Sequence, residues 1–335
     1  MSVDAKELHA KSIIIDAVCP LLARKELLDD YRKGGLTAVA PTVGGFANAA
    51  ATMRSLGEWV KLIRDRGDAI LVRRAADIEE AKRTNKIGLI FHFQGTEPIE
   101  DNLDLIDAYK ALGVGIIQLA YNVKNRIGDG CEERTDAGLS RFGLKAIARM
   151  NEARVIVDCS HTGYRTTMDA FEASTAPTVF SHANPRNVYG TPRNIVDEQI
   201  KAAAKSGGLT GIVGFPAFVA ADKRPTIDQY IDHVSYVADL VGIDHVSLGI
   251  DYFAGQTPYM PDDEATTSYE ATIASGRWSP KAYPPPPYHY PEGIETPDRL
   301  PNLTAALVRR GFNETDIRKV LGENWMRVYR AVWGA

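Results

Sequence analysis

Residues 155–161 read VIVDCSH and residues 178–182 read TVFSH, two short apolar runs that each end in a histidine. Such a run predicts a buried strand that hands its last side chain to the rim of a sheet. Two successive strands built alike can bring His161 and His182 to one point, as a metal site or an imidazole acid–base pair requires. Histidine is scarce here, 7 in 335 residues. Two unrelated, hydrogen-bonded histidines are the plainer alternative, and the matched strand ends favour the functional one.

The same grammar runs outward in both directions. Apolar runs recur at SIIIDAVC (12–19), TAVAPTV (37–43), AILVRR (69–74), GLIFHF (88–93), GVGIIQLA (113–120), LTGIVGF (209–215) and VSLGID (246–251). Between most of them lie amphipathic stretches such as DNLDLIDAYKALG and GLKAIARMNEAR. Repeated β–α alternation implies a parallel sheet with right-handed crossovers. With the two histidine runs there are nine candidate strands, one more than a (β/α)₈ TIM barrel uses. AILVRR is set aside, because charged residues follow at once and lead into the helical ADIEEAKRTNK. A doubly wound open sheet is the alternative, but no GxGxxG opens a helix. The glycines of GGLTGIVG read as close packing rather than a phosphate cradle. The expectation is an α/β protein with a single (β/α)₈ barrel domain over residues 1–335.

Two later segments stand apart. NETDIRKVLGENWMRVYRAVW (313–333) predicts a helix capped by Asn313, with Ile317, Val320, Leu321, Trp325, Val328 and Tyr329 on its core face. Between Tyr252 and Leu300 the pattern dissolves into a stretch rich in Pro and Tyr, including AYPPPPYHYPEG. Residues 253–300 are therefore expected to form a long loop over the C-terminal face, where barrel active sites lie.

Composition excludes several classes. A hydrophobic share of 44% and a net charge of −4 describe an ordinary globular chain, with no basic stripe for nucleic acid and no polybasic membrane patch. No apolar stretch approaches the ~20 residues of a membrane span. The polar, acidic start MSVDAKELHAKSIII is unlike a signal peptide. Three cysteines, without CxxC spacing, suit a reduced compartment. A cytoplasmic protein is expected, acting on a small molecule, with self-association left open.

Longer motifs carry a resemblance. GDGCEERTDAGLSRFG, VDCSHTGYRTTMDA, VFSHANPRNVYGTPRN, SGGLTGIVGF, SLGIDY and LGENWMRVYRAVWG occur in this order along the chain. In these motifs, over nearly its whole length, the chain resembles the renal (membrane) dipeptidase family, zinc-dependent (β/α)₈ hydrolases of the amidohydrolase-like type that cleave dipeptides. The resemblance implies that His161 and His182 are ligands of the second metal. It implies that Arg193, with Asn194 in the same PRN motif, binds the substrate, Arg193 gripping its carboxylate, and that Asp251 ends the eighth strand beside the reacting water. An arginine fork matches a carboxylate bidentately, and a strand-end aspartate can take a proton or a metal.

The departures from the family pattern matter equally. The family's first strand carries a His-x-Asp pair for the first metal; here Val18 and Pro20 stand in those places. The bridging glutamate of the third strand is Gln94, whose amide oxygen is neutral. The histidine of the fourth strand is Tyr121, which can donate one hydrogen bond in its place. The two-metal site cannot form as the family builds it. One zinc on His161 and His182, with Asp251 as a candidate third ligand, would leave an open position for water. Gln94, Asp16, Cys19 or His92 are further candidates for a rebuilt set, His92 lying two residues from Gln94 and so on the same side of its strand. The sequence predicts a dipeptidase-like hydrolase of a small peptide or amino-acid amide, with at most one zinc per chain. The alternative is a metal-independent enzyme or binding protein for a small carboxylate-bearing amino-acid derivative.

Overall fold

A computed structural model describes residues 4–334. Nine strands follow in order: β1 (Ile15–Cys19), β2 (Ala38–Gly44), β3 (Ala69–Leu71), β4 (Ile87–Leu89), β5 (Phe91–Phe93), β6 (Val114–Gln118), β7 (Ile156–Asp158), β8 (Thr210–Ile212) and β9 (Val246–Leu248). All their pairings are parallel. β4 and β5 are one strand interrupted at Ile90, since both pair with β2. Residues 179 and 180 form the sixth barrel strand in reduced form, bridging Asp158 on one side and Thr210 on the other. Closure falls between the two ends of the chain, where Leu21 N donates to Tyr252 O at 2.8 Å and Ile250 N to Asp16 Oδ1 at 2.9 Å. The fold is a (β/α)₈ barrel.

The AILVRR run needs a correction. It forms β3, paired in register with β4 from Ala69↔Ile87 to Leu71↔Leu89. It is not a ninth stave, because β6 pairs with β5 and not with β4. β3 therefore fills the lower part of a gap that β6 closes above. Three apolar residues suffice for a short strand, and the charges at Arg73 and Arg74 only end it.

Side chains alternate across the strands, and the alternation sorts the barrel interior into layers. Ile90, Ile116, Ile156 and Val179 join an apolar cluster with Trp325, Tyr329 and Trp333 of the C-terminal helix. Two residues further along the same strand faces stand His92, Gln118, Asp158 and Ser181, all fully buried. The floor is apolar and the upper layer is polar.

The C-terminal helix carries the expected cap and stripe. Asn313 Oδ1 accepts from Asp316 N at 3.0 Å, and all six predicted face residues are buried. It is not one rod: Glu314–Arg318 and Asn324–Trp333 are joined by a wide turn at Lys319–Glu323. A Cβ on Gly322 would lie 2.5 Å from Ile13 O, so the turn lets the helix press on the N-terminal backbone. Residues 253–300 are also more regular than their composition suggests, holding a helix at Asp262–Ala274. That helix lacks an apolar stripe, which is why periodicity misses it.

Candidate active site

His161 and His182 meet. Their Nε2 atoms are 2.8 Å apart, and both rings are buried. The far side of each ring fixes its tautomer. Asn122 Nδ2 donates to the carbonyl of Arg277 at 2.9 Å, so its Oδ1 must be the atom that faces His161 Nδ1 at 2.6 Å. His161 Nδ1 therefore carries the hydrogen. On the other ring, the Ser181 hydroxyl donates to the Asp158 carboxylate and accepts from His182 Nδ1 at 2.7 Å. Burial pushes the Asp158 carboxyl up, yet His92, His182 and the Ser181 hydroxyl together hold it below the usual carboxylate range. An ionised Asp158 can only accept, which agrees with the direction of the serine hydrogen bond. Both Nε2 atoms are then bare, and two lone pairs point at each other.

Burial, then the Arg193 guanidinium, hold both imidazoles well below the ordinary histidine range, which keeps them neutral. Neutral imidazoles with the outer nitrogen held by an acceptor are the form that ligates metal. The donor set fits one cation between the rings. Zinc–nitrogen bonds of about 2.0–2.1 Å at a tetrahedral angle place two nitrogens about 3.3 Å apart, so the rings need open only slightly. A larger donor set is absent: among the described residues, no three His, Cys, Asp or Glu side chains are grouped closely enough to hold an ion.

The other predicted residues divide into two groups. Gln94, Tyr121 and Asp251 line a cavity of about 270 Å³ together with His161. Tyr121 stacks on His161 with ring centres 4.0 Å apart, and its hydroxyl accepts from Trp278 Nε1 at 3.0 Å. The phenol proton is left free, and burial pushes its pKa up to about 12, so the group is a neutral donor. Asp251 has an unpartnered buried Oδ1, and burial drives its carboxyl well above the usual range against the pull of Arg193. His161 and Asp251 both hold φ at 62°. A left-handed backbone in non-glycine residues costs about 1–3 kcal/mol and is concentrated at functional sites.

Arg193 is only 2% exposed. Its Nη2 donates to His182 O at 2.8 Å, its Nε lacks a partner, and its guanidinium lies 5.6 Å from the Phe218 ring centre. Asn194 uses both amide protons on the carbonyls of Tyr189 and Phe218, which fixes the loop bearing Arg193 and leaves only an acceptor for a ligand.

Cys19, Asp16 and His92 are not brought to the histidine pair. A bulge in β1 turns Cys19 into the hydrophobic core, with its thiol 3.5 Å from Asp16 O. Asp16 is spent on the Ile250 amide at the barrel seam. His92 sits in the polar layer below, 3.3 Å from Asp158 Oδ2. It supports the site through the Asp158–Ser181–His182 chain. Sequence reading missed Asn122, Asp158 and Ser181. The Asp and Ser of VIVDCSH and TVFSH were in view, and strand alternation places both inside the barrel. Trp278 had no local signal.

Known proteins share this fold. A family model described as membrane dipeptidase (peptidase family M19) matches residues 47–274 and 288–334. An amidohydrolase from Pseudomonas aeruginosa superposes with a TM-score of 0.87 at 37% identity, covering 99% of this chain and 100% of its own. A metallopeptidase from Rhodobacter sphaeroides, solved with a phosphinate mimic of L-Ala-D-Ala, has a TM-score of 0.79 at 20% identity over 96% of this chain and all of its own. An uncharacterised dipeptidase of Schizosaccharomyces pombe is 27% identical over 73% of this chain, which spans 53% of that protein's length. With the barrel and the histidine pair in place, the match over most of its length settles the family: the chain belongs to the membrane dipeptidases, peptidase family M19.

Proposed function

We propose that this dipeptidase-like hydrolase works with a single metal ion held by His161 and His182, on a small peptide or amino-acid amide. One observation carries the reading: the Nε2 atoms of His161 and His182 face each other at 2.8 Å, and the acceptors at both Nδ1 atoms leave each Nε2 without a hydrogen. Facing lone pairs repel unless a cation lies between them. When bound, such an ion supplies Lewis acidity, polarising a carbonyl and making water more acidic.

The chain's own residues supply the rest. Arg193 offers positive charge beside His182, suited to a substrate carboxylate. Tyr121 donates a hydrogen bond where negative charge develops on the scissile carbonyl oxygen. Asp251, kept protonated by burial, can deliver a proton to the leaving amine. The amide at Gln94 cannot bridge two cations as a carboxylate does, which supports one ion over two. A soluble, cytoplasmic setting fits the acidic charge, and no helix among the described residues is long and apolar enough to cross a membrane.

The alternative, a metal-free enzyme or binding protein, is favoured by one observation, the lack of a third metal donor near the pair among the described residues. The discriminating experiment assays L,L- and L,D-dipeptides with added zinc, using wild type and His161→Ala. Turnover that His161→Ala abolishes supports the single-metal hydrolase. Turnover that survives His161→Ala ends it.

A further inference from the structure

The two stretches matched by the family model leave residues 275–287 between them, and this segment reaches the site directly. Trp278 Nε1 donates to the Tyr121 hydroxyl at 3.0 Å. Asn122 Nδ2 donates to the Arg277 carbonyl at 2.9 Å and to the Tyr283 hydroxyl at 3.0 Å. Trp278 and Tyr283 stack with ring centres 4.3 Å apart and planes within 3°. They complete a wall with Phe46, Phe215, Phe218 and Phe253 around the cavity that holds His161 and Asp251.

The polar atoms of that wall are turned away from the cavity. The indole N–H is spent on Tyr121 and the Tyr283 hydroxyl on Asn122, so the rings present carbon. Thr272, which lines the cavity from helix Asp262–Ala274, spends its hydroxyl on Ser268 O at 2.8 Å. Polar groups remain in His161, Gln94, Tyr121 and Asp251 and, toward the outer helix and segment, in Ser268 and Arg277. At about 270 Å³ the cavity is small, near the lower end of the ~300–1,000 Å³ common for ligand sites. An apolar wall beside these polar groups fits one large side chain next to a polar reacting group.

We propose that the wall built by residues 275–287 with Phe215, Phe218 and Phe253 is a specificity subsite for one aromatic or large aliphatic side chain of the substrate. This rests on the reading of the histidine pair as the reacting centre. An apolar pocket discriminates by about tenfold or more per methylene it buries. A phenylalanine-bearing dipeptide should therefore exceed an alanine-only one by at least about tenfold in kcat/KM.

The test compares L-Phe-L-Ala, L-Ala-L-Phe and L-Ala-L-Ala with wild type and Thr272→Phe, a variant that takes up space in the cavity from the helix Asp262–Ala274. Wild type should prefer one phenylalanine dipeptide, and Thr272→Phe should lose that preference, its kcat/KM on the phenylalanine dipeptide falling at least about tenfold relative to that on L-Ala-L-Ala. Equal use of all three by wild type, or a preference that Thr272→Phe leaves intact, overturns the subsite. Should wild type cleave none of them, the proposed reaction fails, and calorimetry with L-Phe and L-Ala as probes still judges the pocket. Tighter L-Phe binding that Thr272→Phe abolishes sustains it, and equal binding overturns it. If circular dichroism shows Thr272→Phe unfolded, Ser268→Leu, one turn earlier on the same helix face, replaces it.

Discussion

At the scale of single residues, the site is defined by where polar atoms are left without partners. Asp16 shows this away from the histidines. Its Oδ1 accepts from Ile250 N, its Oδ2 has no partner, and burial raises its pKa from 3.8 to about 7. A folded-state pKa above the unfolded value stabilises the fold below about pH 4, and the contribution is lost as pH rises through about 7. Three units correspond to about 4 kcal/mol. Asp16→Asn keeps an acceptor for Ile250 and cannot ionise. Urea unfolding of chelator-treated protein at pH 5 and pH 8 should show wild type losing more stability over this interval than Asp16→Asn. Parallel losses in the two proteins would show that Asp16 does not titrate there. The histidine pair obeys the same logic. Asn122 and Ser181 decide which nitrogens are bare, and neither residue type announces that role in a sequence.

Among the elements, close backbone approach rather than side-chain volume sets the placement of the strands that carry the candidate site. Cβ atoms added to Gly211 and Gly249 would fall 2.1 and 1.8 Å from Ser181 O. The Ser181 carbonyl of the strand ending in His182 is thus approached closely by two glycine backbones, and Gly211 belongs to the GGLTGIVG stretch whose glycines suggested close packing. Gly322 does the same for the C-terminal helix against Ile13. Gly322→Ala should cost about 1–3 kcal/mol through overpacking, read as a lowered denaturant midpoint with unchanged slope. A midpoint equal to wild type would mean that the wide turn has another cause. Most elements were legible because apolar runs and helical periodicity report burial directly. β3 and the helix at Asp262–Ala274 were not. The first is too short to outweigh the charges behind it, and the second has no apolar stripe to detect. The histidine pair could be read from its two strand ends, whereas Asn122 and Trp278 enter through loops whose course depends on the whole fold.

For the whole molecule, the polar layer, the closely packed strands and the aromatic wall converge on one mouth of the barrel, and they set its capacity for metal. The first-strand positions hold Val18 and Pro20, Gln94 replaces the bridging carboxylate, and Cys19, Asp16 and His92 are occupied elsewhere. Two imidazoles remain, with their tautomers already fixed. Two-imidazole sites bind zinc weakly unless pre-organised, because free ligands lose entropy and protons on binding. Here the Asn122 and Ser181 contacts have met part of that cost in folding. Zinc titration should therefore reach one equivalent per chain, and calorimetric scanning should show a rise in Tm that depends on zinc concentration. A ligand at a hundredfold excess over its Kd adds about 2.7 kcal/mol of stability. His161→Ala should lose both responses. Asn122→Ala should weaken zinc binding by about 10–100-fold, as loss of an orienting contact does. Two tightly held equivalents in wild type would show that the residues at the first-strand positions had been replaced by donors elsewhere in the mouth. A Tm indifferent to zinc would leave the facing lone pairs without their cation and remove the basis for a metal mechanism.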